Sequence, residues 1–437
     1  MLAAILICCI TCLAMIASII FFPRLKIGKI RLDTYWIITL IGAVLLLICK
    51  QVNFASVTDA LVSDTAVNPL KILILFISMT VLSVFLDELG FFRYLANAVL
   101  KKARAGQKKL FLYLYLTVSV LTVFTSNDVI ILSFTPFICY FAKNAKINPV
   151  PYLAAEFVAA NTWSMALIIG NPTNIYLATA YGIDFASYLK VSIIPTLFAG
   201  ITAFVALYLL FRKKLAQPMQ VEEEQVEIHD KVSLWIGIVH LAVCTILLAI
   251  SSYINLQMWL VSLFAAISLL VISTIVFLVR KRKPSALFGT LRRAPYQLIP
   301  FVLSMFVMIV ALSENGVTAK ISNLLGADLP ILKYGVTSFF ASNLINNIPM
   351  SILFSSIIES AGDAVGISAV FATIIGSNLG ALFSPIGALA GIMWSSILNS
   401  HGVKFSYLDF LKIGITVAIP TIIVALLGLW LTTAVII

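Results

Sequence analysis

Four short clusters of Ser, Thr, Asn, Gly and Pro interrupt the apolar stretches of this chain, two in each half. The first half carries Thr125-Ser126-Asn127-Asp128 and Gly170-Asn171-Pro172-Thr173-Asn174. The second half carries Ser342-Asn343-Leu344-Ile345-Asn346-Asn347 and Ser384-Pro385-Ile386-Gly387. Ser, Thr and Asn supply hydrogen-bond donors and acceptors without net charge. A helix that breaks at such a cluster exposes amides at a new N-terminus, which suit an anion or a hydroxylated solute. It also frees carbonyls that can hold a cation. The plainer use of a lone Ser or Asn between membrane helices is as a weak adhesive, worth about 0.6 kcal/mol. Four clusters at corresponding places favour a binding site instead. The candidate solute-binding residues are Ser126, Asn127, Asn171, Pro172, Thr173, Asn174, Ser342, Asn343, Asn346, Asn347, Ser377, Asn378, Ser384 and Gly387. Asn161, Thr162 and Ser164 precede the second cluster and are expected along the approach or in the same cavity.

Two acids are candidates for proton coupling. Asp128 sits at a predicted hairpin tip, where a carboxylate is costly unless paired, hydrated or protonated. It reads either as a proton carrier or as the cap of a short helix starting near Val129. Glu156 lies about one turn inside a predicted span and reads as a carrier, or as a surface-facing or lysine-paired group. Glu88 and Glu314 end equivalent helices and read as interfacial anchors. His240, in the middle of a span, is expected to make a helix–helix bond. The cysteines have no metal-ligand spacing in a polar context, so neither a metal nor a cofactor is expected. No phosphate-binding loop of the G-x-x-x-x-G-K-[ST] type is present.

The elements that must position these residues are membrane helices. The 437 residues are 61% hydrophobic and 11% charged, against about 25% charged in soluble proteins. A net charge of +11 would suggest nucleic acid in a soluble chain; here the basic residues fall in short loops and set orientation, and no nucleic acid is expected. The run Leu2 to Phe22 is long enough to span and lacks the marks of a cleaved signal. Spans are predicted near 2–22, 33–50, 70–87, 152–180 and 188–211, then near 231–252, 254–280, 296–313, 366–398 and 406–435. The regions 110–144 and 331–361, each broken in the middle by a polar cluster, read as re-entrant hairpins. With the N-terminus outside, 24 of the 29 Lys and Arg fall on the cytoplasmic side; Lys50, Lys71, Lys190, Lys320 and Lys333 do not.

The halves correspond in sequence. Asp87-Glu88-Leu89-Gly90 matches Ser313-Glu314-Asn315-Gly316, Ser126-Asn127 matches Ser342-Asn343, and Tyr181-Gly182 matches His401-Gly402. Each half holds an odd number of crossings, so the second is inverted. The fold class is an all-α polytopic membrane protein, with ten transmembrane helices and two re-entrant hairpins in two inverted repeats, two of the helices being broken. The predicted divisions are a first repeat at 1–216, a cytoplasmic linker at 217–230 containing Glu222-Glu223-Glu224, and a second repeat at 231–437. Inverted repeats with paired breaks are the architecture of alternating-access carriers.

The stretch from Ile375-Gly376-Ser377-Asn378-Leu379-Gly380 through Phe383-Ser384-Pro385-Ile386-Gly387 to Trp394 resembles the arsenite permease (ArsB) branch of the ion transporter superfamily. So do Ser342-Asn343 with Asn346-Asn347-Ile348-Pro349, and Gly170-Asn171-Pro172-Thr173-Asn174-Ile175. The resemblance implies two hairpins and two broken helices around one solute site. It further implies proton-coupled export of As(OH)₃ or Sb(OH)₃ from a bacterial cell across its inner membrane, with a soluble ATPase subunit as an optional partner. Related branches include sodium/proton antiporters and sodium-coupled dicarboxylate or citrate carriers. The expected partners are therefore a small inorganic solute, a coupling proton or sodium, and the lipid bilayer. The sequence leaves solute, coupling ion and oligomeric state open.

Overall fold

A computed structural model describes residues 1–22, 24–27, 30–63, 68–102, 106–219, 228, 230–251, 254 and 256–436. Lys29, Arg104 and the Glu222-Glu223-Glu224 run of the linker lie outside the described residues.

Apolar runs of membrane-spanning length become helices because every backbone polar group can then be satisfied within the segment. The first half contains α1 (Leu2–Phe21), α2 (Thr34–Ile48), α3 (Phe54–Val62), α4 (Pro69–Glu88), α5 (Phe91–Lys102), α6 (Gln107–Phe124), α7 (Asn127–Asn144), α8 (Val150–Trp163), α9 (Pro172–Ala180) and α10 (Phe185–Phe211). The second contains α11 (Lys231–Ile250), α12 (Met258–Val279), α13 (Ser285–Arg293), α14 (Leu298–Glu314), α15 (Val317–Leu325), α16 (Pro330–Ile345), α17 (Asn347–Ala361), α18 (Gly366–Gly380), α19 (Leu389–Ser400) and α20 (Tyr407–Ile436). Seven stretches are long and apolar enough to cross a membrane: α1, α4, α10, α11, α12, the α13–α14 stretch and α20. The other expected spans are the shorter α2 and the interrupted pairs α8/α9 and α18/α19. The two expected hairpins are α6–α7, turning at Thr125-Ser126, and α16–α17, turning at Asn346.

The fold is not entirely helical. Arg24–Ile27 (β1) and Ile30–Asp33 (β2) form an antiparallel ladder with Arg24 opposite Asp33 and Ile27 opposite Ile30. Both strands alternate charged and apolar residues at the period of a strand. Four short helices, α3, α5, α13 and α15, were also not expected from the sequence. The order of a long helix, a short helix, a hairpin, a broken helix and a long helix occurs as α4 to α10 and again as α14 to α20. Gly90 and Gly316, just past α4 and α14, both have left-handed backbone (φ +82° and +71°). So do Gly182 and Gly402 (φ +62° and +71°), past α9 and α19. A side chain is disfavoured there, which is a physical reason for the matching glycines.

The helices form two packed sets. In one, α2 lies against α1 and α14, and α4 lies against α11, α12 and α13. In the other, α10 runs along α20, α6 along α8, and α16 along α18. The sets meet across an apolar seam. Ile72, Leu73 and Phe76 of α4 and Leu298 and Val302 of α14 face Pro172 and Tyr176 of α9 and Ile348 and Ile352 of α17, around a cavity of about 20 Å³.

Helices α16 and α18 approach each other closely. A Cβ added at Gly376 would lie 2.1 Å from Ser338 Oγ and 2.4 Å from Gly335 O. One at Gly380 would lie 2.0 Å from Ser342 Oγ and 2.7 Å from Phe339 O. Small residues spaced by four let membrane helices touch backbone to backbone. Gly380→Val should therefore push the second hairpin off α18 at a cost of about 3 kcal/mol or more, because backbone blocks relaxation. A drop in the unfolding midpoint of the detergent-purified protein checks this, and an unchanged midpoint would show that the contact gives way easily.

Candidate functional site

At the first hairpin tip α6 stops at Phe124, and Thr125 and Ser126 are extended. The Val129 amide donates to Ser126 Oγ at 3.5 Å, so the cap of α7 is Ser126 and not Asp128. The Asp128 amide donates to Asn127 Oδ1 at 3.0 Å. Asp128 itself is half-buried in the first turn of α7, within electrostatic reach of Tyr35 on α2. Asn127 Nδ2 donates to Asn161 Oδ1 at 3.1 Å, tying this tip to α8.

The first broken helix unwinds between Trp163 and Pro172. Pro172 is the first residue of α9, where its missing amide costs nothing. Asn171 caps α9, its Oδ1 accepting from the Thr173 amide and the Thr173 hydroxyl, both at 3.2 Å. Asn174 Nδ2 donates to the unwound carbonyls of Ser164 and Leu167, at 2.8 and 3.2 Å. This break is tied to the other half of the chain through Asn378 of α18. Asn378 Oδ1 accepts from Ser164 Oγ and from Asn171 Nδ2, both at 2.9 Å. Asn378 Nδ2 donates to Asn174 Oδ1 at 2.7 Å. All four side chains are fully buried or nearly so.

The second hairpin tip meets the second break directly. Asn343 Nδ2 donates to Gly380 O at 3.0 Å, and Ser384 Oγ donates to Asn343 Oδ1 at 2.6 Å. Asn346 Nδ2 donates to Ile386 O, and the Asn347 amide to Gly387 O, each at 3.0 Å. A Cβ on Gly387 would lie 2.7 Å from Gly380 O and 2.9 Å from Asn343 Oδ1, so only glycine fits. Asn346 has φ +71° and ψ 154°, a region nearly reserved for glycine, and holding it there costs about 1–3 kcal/mol. Its bond to Ile386 O and the neighbouring Asn347 amide's bond to Gly387 O keep it in place. Such strain gathers at functional sites.

The candidates from the two halves therefore form linked clusters. The first tip joins α8 at Asn161, three residues before Ser164. Asn378 joins the first break to α18, two residues before Gly380, where the second tip docks. Ser342 is beside Gly380 and bonds within its own helix. The Ser377 and Thr162 hydroxyls are buried without a partner among the described residues. Helices α7, α9, α17 and α19 all begin at these breaks, so four positive helix ends belong to the polar region. Asp128 is the acid within the four clusters. Such a lining can hold a neutral polyhydroxy solute or a small anion and can offer it one titratable group.

Two expectations change, for Glu156 and His240, and Glu88 gains a partner. Glu156 is neither surface-facing nor paired with lysine. It is fully buried, accepting from Thr135 Oγ1 at 2.8 Å and Trp394 Nε1 at 3.3 Å, apart from the breaks. His240 bonds to Ile236 O of its own helix at 2.7 Å rather than to a neighbouring one. Glu88 is held at 2.7 Å by Arg293, which also meets Asp87 at 2.7 Å, so it fastens α13 to α4. Of the two places expected for Ser164, the approach or the same cavity, it takes the second, bonding to Asn378 within the cluster. Thr135 and Trp394 were not singled out as partners of an acid; a hydroxyl and an indole in apolar runs carry no local mark of it.

Known proteins share both sequence and shape with this chain. The profile of the citrate transporter family (CitMHS) matches residues 30–376. The arsenical pump membrane protein of Escherichia coli K12 is 29% identical over 374 residues, covering 81% of this chain and 84% of that one. A Bacillus subtilis 168 protein named putative arsenical pump membrane protein is 24% identical over 424 residues, covering 89% and 92%. Among solved structures, the YdaH transporter of Alcanivorax borkumensis superposes with a TM-score of 0.58 at 15% identity, covering 99% of this chain and 98% of its own. MtrF of Neisseria gonorrhoeae, from a class described as antimetabolite efflux pumps, gives 0.54 at 11% identity, covering 98% and 93%.

Proposed function

The chain belongs to the citrate transporter (CitMHS) family, and on that premise we propose that it exports arsenite, antimonite or a related small oxyacid in exchange for protons. The family is one of membrane transporters, and this member is a multi-pass membrane protein with bacterial relatives. The reading places it in a bacterial inner membrane. Residues 1–216 and 231–437 are taken as inverted repeats joined by the 217–230 linker, which the recurring order of elements supports.

The observation that carries the solute is the neutrality of the lining. Asn127, Asn171, Asn174, Asn343, Asn346, Ser384 and Asn378 present amides and hydroxyls, and no Arg or Lys belongs to the four clusters. Arsenous acid is uncharged and trihydroxylated at neutral pH, so it can exchange hydrogen bonds with such groups without meeting a counter-charge. A tricarboxylate would need cations to offset its charge. Relatives named arsenical pump membrane protein, covering four-fifths of the chain, favour the same solute. Asp128, in the first turn of α7, is the carboxyl assigned to carry the exchanged proton.

The second reading is a sodium/proton antiporter or a sodium-coupled carrier of a dicarboxylate or citrate. The family's own description favours it, and the helix ends at the breaks suit an anion. Everted vesicles separate the two. Arsenite accumulation driven by an inside-acid gradient supports export by proton exchange. Accumulation of citrate or succinate driven by sodium, with none of arsenite, would replace it.

A further inference from the structure

Glu156 has no place in the solute lining, yet it is a carboxyl buried completely inside the membrane part of the protein. Its hydrogen-bond partners among the described residues are two neutral donors from different elements. Thr135 belongs to the first hairpin, and Trp394 to α19, the second half of the second broken helix. No cation pairs with it among the described residues. A carboxyl so placed is retained at high cost, and membrane acids of this kind mark proton or ion pathways.

The surroundings give it a direction. Trp394 is wedged between Phe157 (centroids 5.2 Å apart), Phe405 (5.2 Å) and Phe410 (5.7 Å). Phe405 is part-exposed just before α20, next to Lys404, on the side of the basic loops. A small apolar cavity of about 20 Å³ adjoins the same rings; its lining offers no polar partners for a water, so it is slack in which the rings can move. Cys139 on α7 is within electrostatic reach, and Tyr152 on α8 is bonded to Gln107 at 2.9 Å. Tyr115 on α6 and Tyr188 on α10 donate to Gly200 O and Met165 O. Asp409 and Lys412 on α20 are exposed, and α18 has no ionisable residue.

We propose that Glu156 is a second proton-exchanging site, gated towards the basic-loop side by the rings of Trp394, Phe405 and Phe410. This rests on the reading of the chain as a proton-coupled carrier. Thr135 lies seven residues along α7 from Asp128, or about 10 Å, so α7 carries Asp128 at one level and the α8 residue Glu156 bonds to it about two turns further on. A proton from water adds to the Glu156 carboxylate to give the neutral acid, and leaves by the reverse step. Trp394 and Thr135 hold the group in the charged state.

The purified protein in detergent gives a readout that needs no solute. In Asp128→Asn the infrared band of a protonated carboxyl should still rise and fall with pH, and it should vanish when Glu156→Gln is added to that variant. In Phe405→Ala it should exchange with deuterium faster by about tenfold or more. In proteoliposomes, Glu156→Gln should keep exchange of labelled for unlabelled arsenite within about twofold and lose accumulation driven by a pH gradient by about 100-fold. A titrating band that survives in the double variant overturns the proposal, as does unchanged gradient-driven accumulation in Glu156→Gln. Loss of both exchange and accumulation would mark Glu156 as structural and overturns it too. Unchanged deuterium exchange in Phe405→Ala removes the gate. Failure of the wild type to move arsenite, with the band behaving as described, would instead fault only the assigned solute.

Discussion

Asn378→Leu should abolish transport. The amide of Asn378 satisfies Ser164, Asn171 and Asn174 together, across more than two hundred residues of sequence. Leucine has a similar volume, so packing survives, but buried Asn171 Nδ2 loses its partner and Asn174 Oδ1 keeps only a 3.5 Å contact with Thr173, while Ser164 retains Asn161 O. Each orphaned group costs about 1–3 kcal/mol, so the break would rearrange before the helix bundle fell apart. Arsenite flux should fall by about 100-fold or more, since displacements of about 1 Å in a positioned site have effects of that order. The protein should still insert and elute as a single species. Asn378→Asp is the informative companion: it keeps the acceptor for Ser164 and Asn171 but repels Asn174 Oδ1, and should recover little. Near-normal flux in Asn378→Leu would show that the polar cluster is packing and that the solute passes elsewhere.

Asp128→Asn should leave the carrier in the membrane and uncouple it. The substitution keeps size and polarity, and the cap of α7 is unaffected because Ser126 supplies it. What it removes is the capacity to gain and lose a proton. Arsenite accumulation driven by a pH gradient should fall by about 100-fold, while exchange of labelled for unlabelled arsenite continues and no longer varies with pH. Normal gradient-driven accumulation in this variant would exclude Asp128 as the carrier. The two carboxyls are thus separable: loss of pH sensitivity in exchange belongs to Asp128, whereas Glu156→Gln should preserve it.

The breaks were legible because a lipid-facing background is so uniform. Pro172, Pro385 and the runs of Asn stand out against long apolar stretches, and each falls where a helix stops. The recurring glycines were legible for an equally local reason, since Gly90 and Gly316 each end a helix in left-handed backbone. Partnership was not legible. Nothing near Asn378 in the chain reveals that it bonds to Asn171, and nothing near Glu156 reveals Trp394, because hydrogen bonds between distant segments leave no periodic trace. The short helices α3, α5, α13 and α15 were missed because, between spans, a few polar and apolar residues suit a loop as well as a turn or two of helix. The β1–β2 ladder was visible as alternation, but four residues per strand are easily absorbed into a connecting segment.

The amides around Asn378 already satisfy one another while no solute is held. An incoming oxyacid must therefore trade existing bonds for new ones, and the net enthalpy of capture is small. Affinity should be modest, and release correspondingly quick, which suits a device judged by throughput rather than retention. Discrimination then comes from the mismatch left by a wrong guest. A molecule of the right size without hydroxyls would break the existing bonds and replace none of them.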